Sequence, residues 1–178
     1  MKLPSRKQCL GFLKETNLLE NIVKHSLAVN RVAVFLAKRM KKNGVKVDVK
    51  AVDCGSLVHD LDKHLTFENH LHGYVGKKFL VDKGFSELGD FCITHNLSFV
   101  LKNDLPSIEH RIVFYADKRV KADRIVSLDE RFDYIREKYG ARSPEALKKI
   151  LSCKKPLLKI EKELLSLAKV DASLGGLQ

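Results

Sequence analysis

Residues 18–42 read LLENIVKHSLAVNRVAVFLAKRMKK, and the spacing of their apolar members decides the fold class. Ile22, Ser26, Val29, Ala33, Leu36 and Met40 recur at helical intervals, so one face of a long α-helix is marked for burial. Gly44 follows as a stop signal, because glycine accepts the left-handed backbone that often ends a helix. The same period continues on both sides. Ser5 is placed to cap a helix running to about Glu15, and Asp48 one that continues through Ala51, Val52, Gly55 and Val58 to Leu61. Further helices are expected over His72–Lys83, Ser86–His95, Ser107–Lys121, Leu128–Tyr139, Ser143–Ser152 and Pro156–Val170. Ser143-Pro144-Glu145 supplies a cap, a first-turn proline and an acid near the positive helix end. Asn96–Pro106 reads as an extended apolar connection, and the Gly175-Gly176 tail is expected to fray. No stretch alternates with period two, so strands are not expected. The reading is an all-α helical bundle forming a single domain over 1–178, with a core at about 18–139 and C-terminal helices over 143–170.

Composition narrows the function. The chain has 178 residues, of which 44% are hydrophobic, enough for a real core. Its longest strongly apolar block, Val32–Ala37, is bounded by Arg31 and Lys38. A spanning helix needs roughly 20 apolar residues, so no membrane partner is expected. Residues 1–7 carry charge but no apolar segment and do not read as a secretory signal. Cys9, Cys54, Cys92 and Cys153 are far apart and form no CxxC pair, which suits buried thiols and a cytoplasmic location. The 33 Lys and Arg outnumber the 22 Asp and Glu, for a net charge of +11. That charge suits nucleic acid, an acidic surface or an anionic small molecule equally.

Six polar residues stand where core residues belong. His25 lies inside the apolar stripe of residues 18–42, and His59-Asp60 follows Leu57-Val58. His72 precedes Val75 and Phe79 at helical spacing, His95 follows Phe91 and Cys92, and Asp117 interrupts the run from Ile112 to Ala116. A lone histidine on an apolar face is more often a hydrogen-bonded core residue than a ligand. Six such groups are different, because each costs about 1–3 kcal/mol when buried without a partner. A shared metal centre satisfies them together, since imidazole nitrogen and carboxylate oxygen are common donors to Zn, Fe and Mn. Adjacent helical residues point about 100° apart, so His59 and Asp60 share an ion only where it lies in the angle between them or where the helix ends. A carboxylate has two oxygens, so Asp60 can serve two ions. His25, His59, Asp60 and Asp117 would hold one, and Asp60, His72 and His95 the other.

This ordered set resembles the HD-domain superfamily of metal-dependent phosphohydrolases. His59-Asp60-Leu61-Asp62-Lys63 is similar to the HDxxK form of its signature, and Tyr115-Ala116-Asp117-Lys118-Arg119 to its closing Asp helix. His72 and His95 match positions that supply a second metal in the dinuclear branch. The resemblance covers roughly Leu18–Tyr139. Asn96 stands where cyclic-dinucleotide phosphodiesterases have a second histidine, and their Gly-Tyr-Pro motif is missing, so the pattern is closer to the branch containing symmetrical dinucleoside-polyphosphate hydrolases. The same ligand set also resembles di-iron oxygenases on this scaffold.

The resemblance implies hydrolysis of a phosphoester or phosphoanhydride in a nucleotide or other small phosphorylated substrate. A metal-bound hydroxide would attack, with two divalent ions (Fe, Mn, Zn, Co or Ni, with Mg as the alternative) as cofactors. Asp60 and Lys63 are the expected catalytic residues, and Lys63, Lys118 and Arg119 the expected substrate-binding cations. An exposed lysine at a helix end is an equally good reading of Lys63 from spacing alone. His64, His70 and His110 read as peripheral and Cys92 as core. The basic doublets Lys38-Arg39, Lys41-Lys42, Lys77-Lys78, Lys148-Lys149 and Lys154-Lys155 are interspersed with acids and read first as solvated faces. The alternatives are a di-iron oxygenase and a non-catalytic, metal-stabilised module that binds nucleic acid.

Overall fold

The computed structural model describes residues 2–65, 71–102 and 105–177. The chain runs α1 (Arg6–Glu15), α2 (Glu20–Lys42), α3 (Val49–Val58), a 3-10 turn (Lys63–Leu65), α4 (Tyr74–Asp82), α5 (Ser86–Thr94), α6 (Phe99–Lys102) and α7 (Ile108–Lys118). A two-residue hairpin of β1 (Val120–Lys121) and β2 (Arg124–Ile125) precedes α8 (Leu128–Ile135), a π-helical segment (Arg136–Gly140) and α9 (Pro144–Ala168). The fold is all-α apart from that hairpin, where Val120 pairs with Ile125 and Lys121 with Arg124 in antiparallel register. None of the described helices is long and apolar enough to cross a membrane.

The capping chemistry operates where the sequence places it. Ser5 and Gln8 form a reciprocal capping box at the start of α1. The Asp48 carboxylate accepts from the Lys50 and Ala51 amides, and Ser107, Ser127 and Ser143 cap α7, α8 and α9. Helix α2 runs through the middle and packs against α3, α7 and α9. Its stripe, from Val29 through Val32, Ala33, Leu36 and Ala37 to Met40, is fully buried, and Leu57, Phe91, Ile112, Phe114 and Tyr115 close the core around it.

Four expectations are corrected. The Asn96–Pro106 connection contains the short helix α6, and the segment after Asp117 forms the hairpin rather than continuing the helix. The two expected C-terminal helices are one continuous helix, α9, with Pro156 inside it. Proline removes one helical hydrogen bond and crowds the preceding turn. Burial of Ile150, Cys153, Leu157, Leu164 and Ala168 along one stripe holds the helix in register through that break. The tail is also docked rather than frayed. Leu174 is buried, Arg31 donates to the Leu177 carbonyl at 3.0 Å and Arg119 to the Ala172 carbonyl at 2.7 Å.

Leu174→Ala is therefore expected to cost about 2–5 kcal/mol, the range for truncating a buried leucine. Urea denaturation measures it. A loss under about 0.5 kcal/mol, the usual limit for surface substitutions, would mean that the tail is loose in solution.

Candidate metal centre

Five segments converge on one buried point. Helix α2 brings His25, and the C-terminal end of α3 brings His59 and Asp60 as the chain leaves the helix. The turn before α4 brings His72, the C-terminal end of α5 brings His95, and the last turn of α7 brings Asp117. All but His72, whose side chain keeps 26% exposure, are buried.

The Asp60 carboxylate divides the cluster. Its Oδ2 lies 3.6 Å from His25 Nε2 and 3.5 Å from His59 Nε2. Its Oδ1 lies 3.3 Å from His72 Nε2 and 3.2 Å from His95 Nε2. Asp117 Oδ1 belongs with the first group, 3.1 Å from His25 Nε2 and 4.0 Å from His59 Nε2. His72 and His95 bring their own Nε2 atoms to 2.9 Å of each other. His25, His59 and Asp60 form one set of potential ligand atoms, all within 4.8 Å of one another; Asp60, His72 and His95 form a second.

The far side of each ring is occupied, which turns its Nε2 inward. His25 Nδ1 meets the Ala122 carbonyl at 2.7 Å, and His59 Nδ1 the Ser56 carbonyl at 2.7 Å. His95 Nδ1 lies 3.3 Å from the Phe91 carbonyl. A ring nitrogen facing a carbonyl carries the proton, so the inner nitrogen presents a lone pair. His72 Nδ1 instead meets Asp62 Oδ1 at 2.9 Å, while Asp62 Oδ2 accepts the Gly73 and Gly76 amides, each at 2.8 Å. The turn that presents His72 needs glycine at 73. Its φ is +90°, and a Cβ there would lie 2.2 Å from the Cys92 carbonyl oxygen.

The residues present fit a metal. His59 Nε2 and Asp60 Oδ1 are buried and have no hydrogen-bond partner among the described residues. Orphaned atoms of this kind cost about 1–3 kcal/mol each unless something unites them. An all-nitrogen-and-oxygen donor set suits a divalent first-row ion. The electrostatics agree. Burial pushes the Asp60 carboxyl up, but Lys63 and His59 outweigh it and hold it well below the usual range. At Asp117, Lys118 and His25 likewise overcome burial. Burial pushes His95 down to about 4, whereas at His72 the contacts to Asp60 and Asp62 overcome burial and raise it to about 9. Both carboxylates are therefore anionic and His95 is neutral, as metal ligands must be, whereas His72 would have to release a proton to join them.

The cations near the centre have separate tasks. Lys63 reaches Asp60 Oδ2 at 2.5 Å, and its side chain is 30% exposed. Lys118 is buried, donating to Asp117 Oδ2 and, at 2.9 Å, to the His95 carbonyl. It ties the segment carrying Asp117 to the segment carrying His95. Arg119 lies apart from the cluster. It donates to the Val126 carbonyl at 2.7 Å, the Tyr115 hydroxyl at 2.5 Å and the Ala172 carbonyl. Neither Lys118 nor Arg119 presents a cation to solvent, because each sits inside the protein with its donors engaged. His110 stacks on Phe91 at 4.0 Å, and His64 lines a separate cavity of about 460 Å³ beside Asp62 and Gly76. His70 lies outside the described residues. Asp62 was not among the expected site residues. Its signal was present, as a third acid-or-histidine position two residues beyond Asp60 in a stretch rich in leucine and valine.

Fold and donor set together define a helical domain built around a buried histidine–aspartate centre. The chain belongs to the HD domain family, whose model matches residues 22–121. It is 32% identical over 145 residues to an uncharacterized protein of Methanocaldococcus jannaschii, covering 74% of this chain and 85% of that one. It is 28% identical over 144 residues to a tRNA (cytidine(56)-2'-O)-methyltransferase of Picrophilus torridus, covering 74% of this chain but only 40% of that protein. No solved structure matches.

Removing the Asp62 carboxylate should loosen His72 without touching the other ligands. Asp62→Ala is expected to weaken metal binding by about 10–100-fold, the usual effect of losing a residue that orients a ligand. Competition titration against a chromogenic chelator reads this directly. An unchanged affinity would remove Asp62 from the site. Metal addition should also stabilise the wild-type protein, by about 2.7 kcal/mol at a free concentration 100 times Kd, and stripping with a chelator should reverse the shift.

Proposed function

We propose that this HD domain is a metal-dependent phosphohydrolase acting on a nucleotide or another small phosphorylated molecule. The observation that carries the proposal is the Asp60 carboxylate, whose two oxygens each face a different set of histidines. A single ion would leave one of those sets unused, so we assign two. His25, His59, Asp60 and Asp117 would hold the first, and Asp60, His72 and His95 the second. Bound divalent ions supply Lewis acidity and make water a competent nucleophile near neutral pH.

The chain's own residues do the rest. His25, His59 and His95 are held by backbone carbonyls and His72 by Asp62, so little reorganisation is needed when charge develops at the centre. Lys63 is the substrate-binding residue. At 30% exposure, against 6% for Lys118, it retains a path to solvent and can turn from Asp60 to a phosphate oxygen. Lys118 keeps the Asp117 carboxylate oriented, and Arg119 braces the C-terminal tail; neither is assigned to substrate. Among nucleotides, dinucleoside polyphosphates are the first to test, because the order of ligands is similar to that of their symmetrical hydrolases.

A second reading is favoured by one comparison. The matching segment in the Picrophilus torridus protein belongs to a chain named for action on tRNA, and a charge of +11 suits a nucleic-acid partner.

The test is phosphate release from a nucleotide panel, including dinucleoside polyphosphates, with Mn, Fe, Co, Ni or Mg supplied. Wild type is expected to turn over at least one member. Asp60→Ala should abolish that activity, and Lys63→Ala should lower kcat by about 100-fold, the effect of losing one charge-stabilising donor. Equal inactivity of wild type and Asp60→Ala on the whole panel would overturn the hydrolase reading. Turnover that requires oxygen and iron would replace it with a di-iron oxygenase.

A further inference from the structure

A groove also lies away from the histidine–aspartate centre. It measures about 1080 Å³ and lies between α1, α2 and the start of α3, with Leu177 at its edge. Arg31, Lys38 and Lys41 line it from α2. At about 100° per residue they lie roughly 160–240° around the helix from His25, so the groove occupies the opposite side of α2 from the ligand cluster. Lys50 completes the cationic wall from α3.

The acids in this groove are already engaged. The Asp48 carboxylate caps α3, accepting from the Lys50 and Ala51 amides at 2.9 and 3.0 Å. Asp53 accepts from Arg6 and, at 2.8 Å, from Asn30. Lys38, Lys41 and Lys50 are exposed, and none makes an ion pair with a described carboxylate. Between the groove's cations lies an apolar floor that includes Val34 and the half-buried ring of Phe35. From Arg31 to Lys41 the row is about 15 Å long at 1.5 Å per residue, long enough for several phosphates.

We propose that this groove binds a single nucleic-acid strand, with Arg31, Lys38, Lys41 and Lys50 on the phosphates and Phe35 meeting a base. A strand alternates anionic phosphates with flat apolar bases, which is the alternation the groove presents. An acidic polypeptide would answer the cations but offers a flat face only where an aromatic residue occurs, whereas every nucleotide of a strand carries one. The proposal gives a place to the nucleic-acid reading above and is independent of the hydrolase reading, because no metal ligand lines the groove.

Fluorescence anisotropy with a labelled dodecameric oligouridine tests it on the full chain. Lys38→Glu/Lys41→Glu is expected to weaken binding by tenfold or more. The milder Lys38→Gln/Lys41→Gln pair should weaken it less and flatten the slope of log K against log salt by about 1.4, two phosphates at about 0.7 each on a single strand. Phe35→Leu should cost about fivefold, the low end for one stacked base, with the salt slope unchanged. Lys148→Glu/Lys149→Glu, on the exposed face of α9, should have less than a threefold effect. Asp60→Ala should bind as wild type does, so failure of the hydrolase reading and failure of this one are separable. Unchanged binding by both Lys38/Lys41 variants would overturn the proposal, as would an equal loss from the α9 pair. Displacement by polyglutamate at concentrations as low as those of unlabelled oligouridine would assign the groove to an acidic protein instead.

Discussion

A fully buried carboxylate with both oxygens facing imidazoles sets the terms for the rest of this structure. Asp60 stays anionic in the interior only because Lys63 and the surrounding histidines compensate the loss of water. Removing water from an ion costs several kcal/mol even after relaxation, so the partners have to be placed closely. The folding of distant segments serves that placement. The Ala122 carbonyl in the turn between β1 and β2 holds His25, and Lys118 fastens the end of α7 to the end of α5. Gly73, the residue whose conformation and close backbone contact admit no side chain, makes the turn that delivers His72.

The sequence showed the helices and the convergent side chains through a single device, polar residues at positions whose helical period demands burial. That device works where the chain is regular. It places His25 on the inner face of α2 and Asp117 on that of α7 without reference to anything distant. It fails where position depends on contacts remote in sequence. The docking of Leu174, and the carbonyls that Arg31 and Arg119 find in the C-terminal tail, are invisible to local spacing. Proline punctuation suggested two helices where the buried stripe of α9 runs straight through Pro156. Lys118 and Arg119 looked alike as cations after an aspartate. A single step around the helix gives one to the Asp117 carboxylate and the other to Tyr115 and the tail.

Helix α2 connects the two faces of the molecule. Its inner side presents His25 to the histidine–aspartate centre, and its outer side carries the row of cations along the groove. A positive field on the outer side also raises the encounter rate of any anion with the protein as a whole, so charge has a role at both places. The histidine–aspartate centre draws on buried charge that salt screens poorly; the groove draws on exposed charge that salt screens well. The two proposed functions therefore differ in their expected response to ionic strength as well as in their residues.

The central claim is that Asp60 lies between two metal positions. Anomalous diffraction from crystals grown with manganese tests it most directly, together with a search of the same map for bound phosphate. The account predicts two anomalous peaks, one beside each oxygen of Asp60, with His25, His59 and Asp117 around the first and His72 and His95 around the second. No peak at fully loaded metal concentrations, or a single peak with His72 and His95 still bonded to each other, would contradict it.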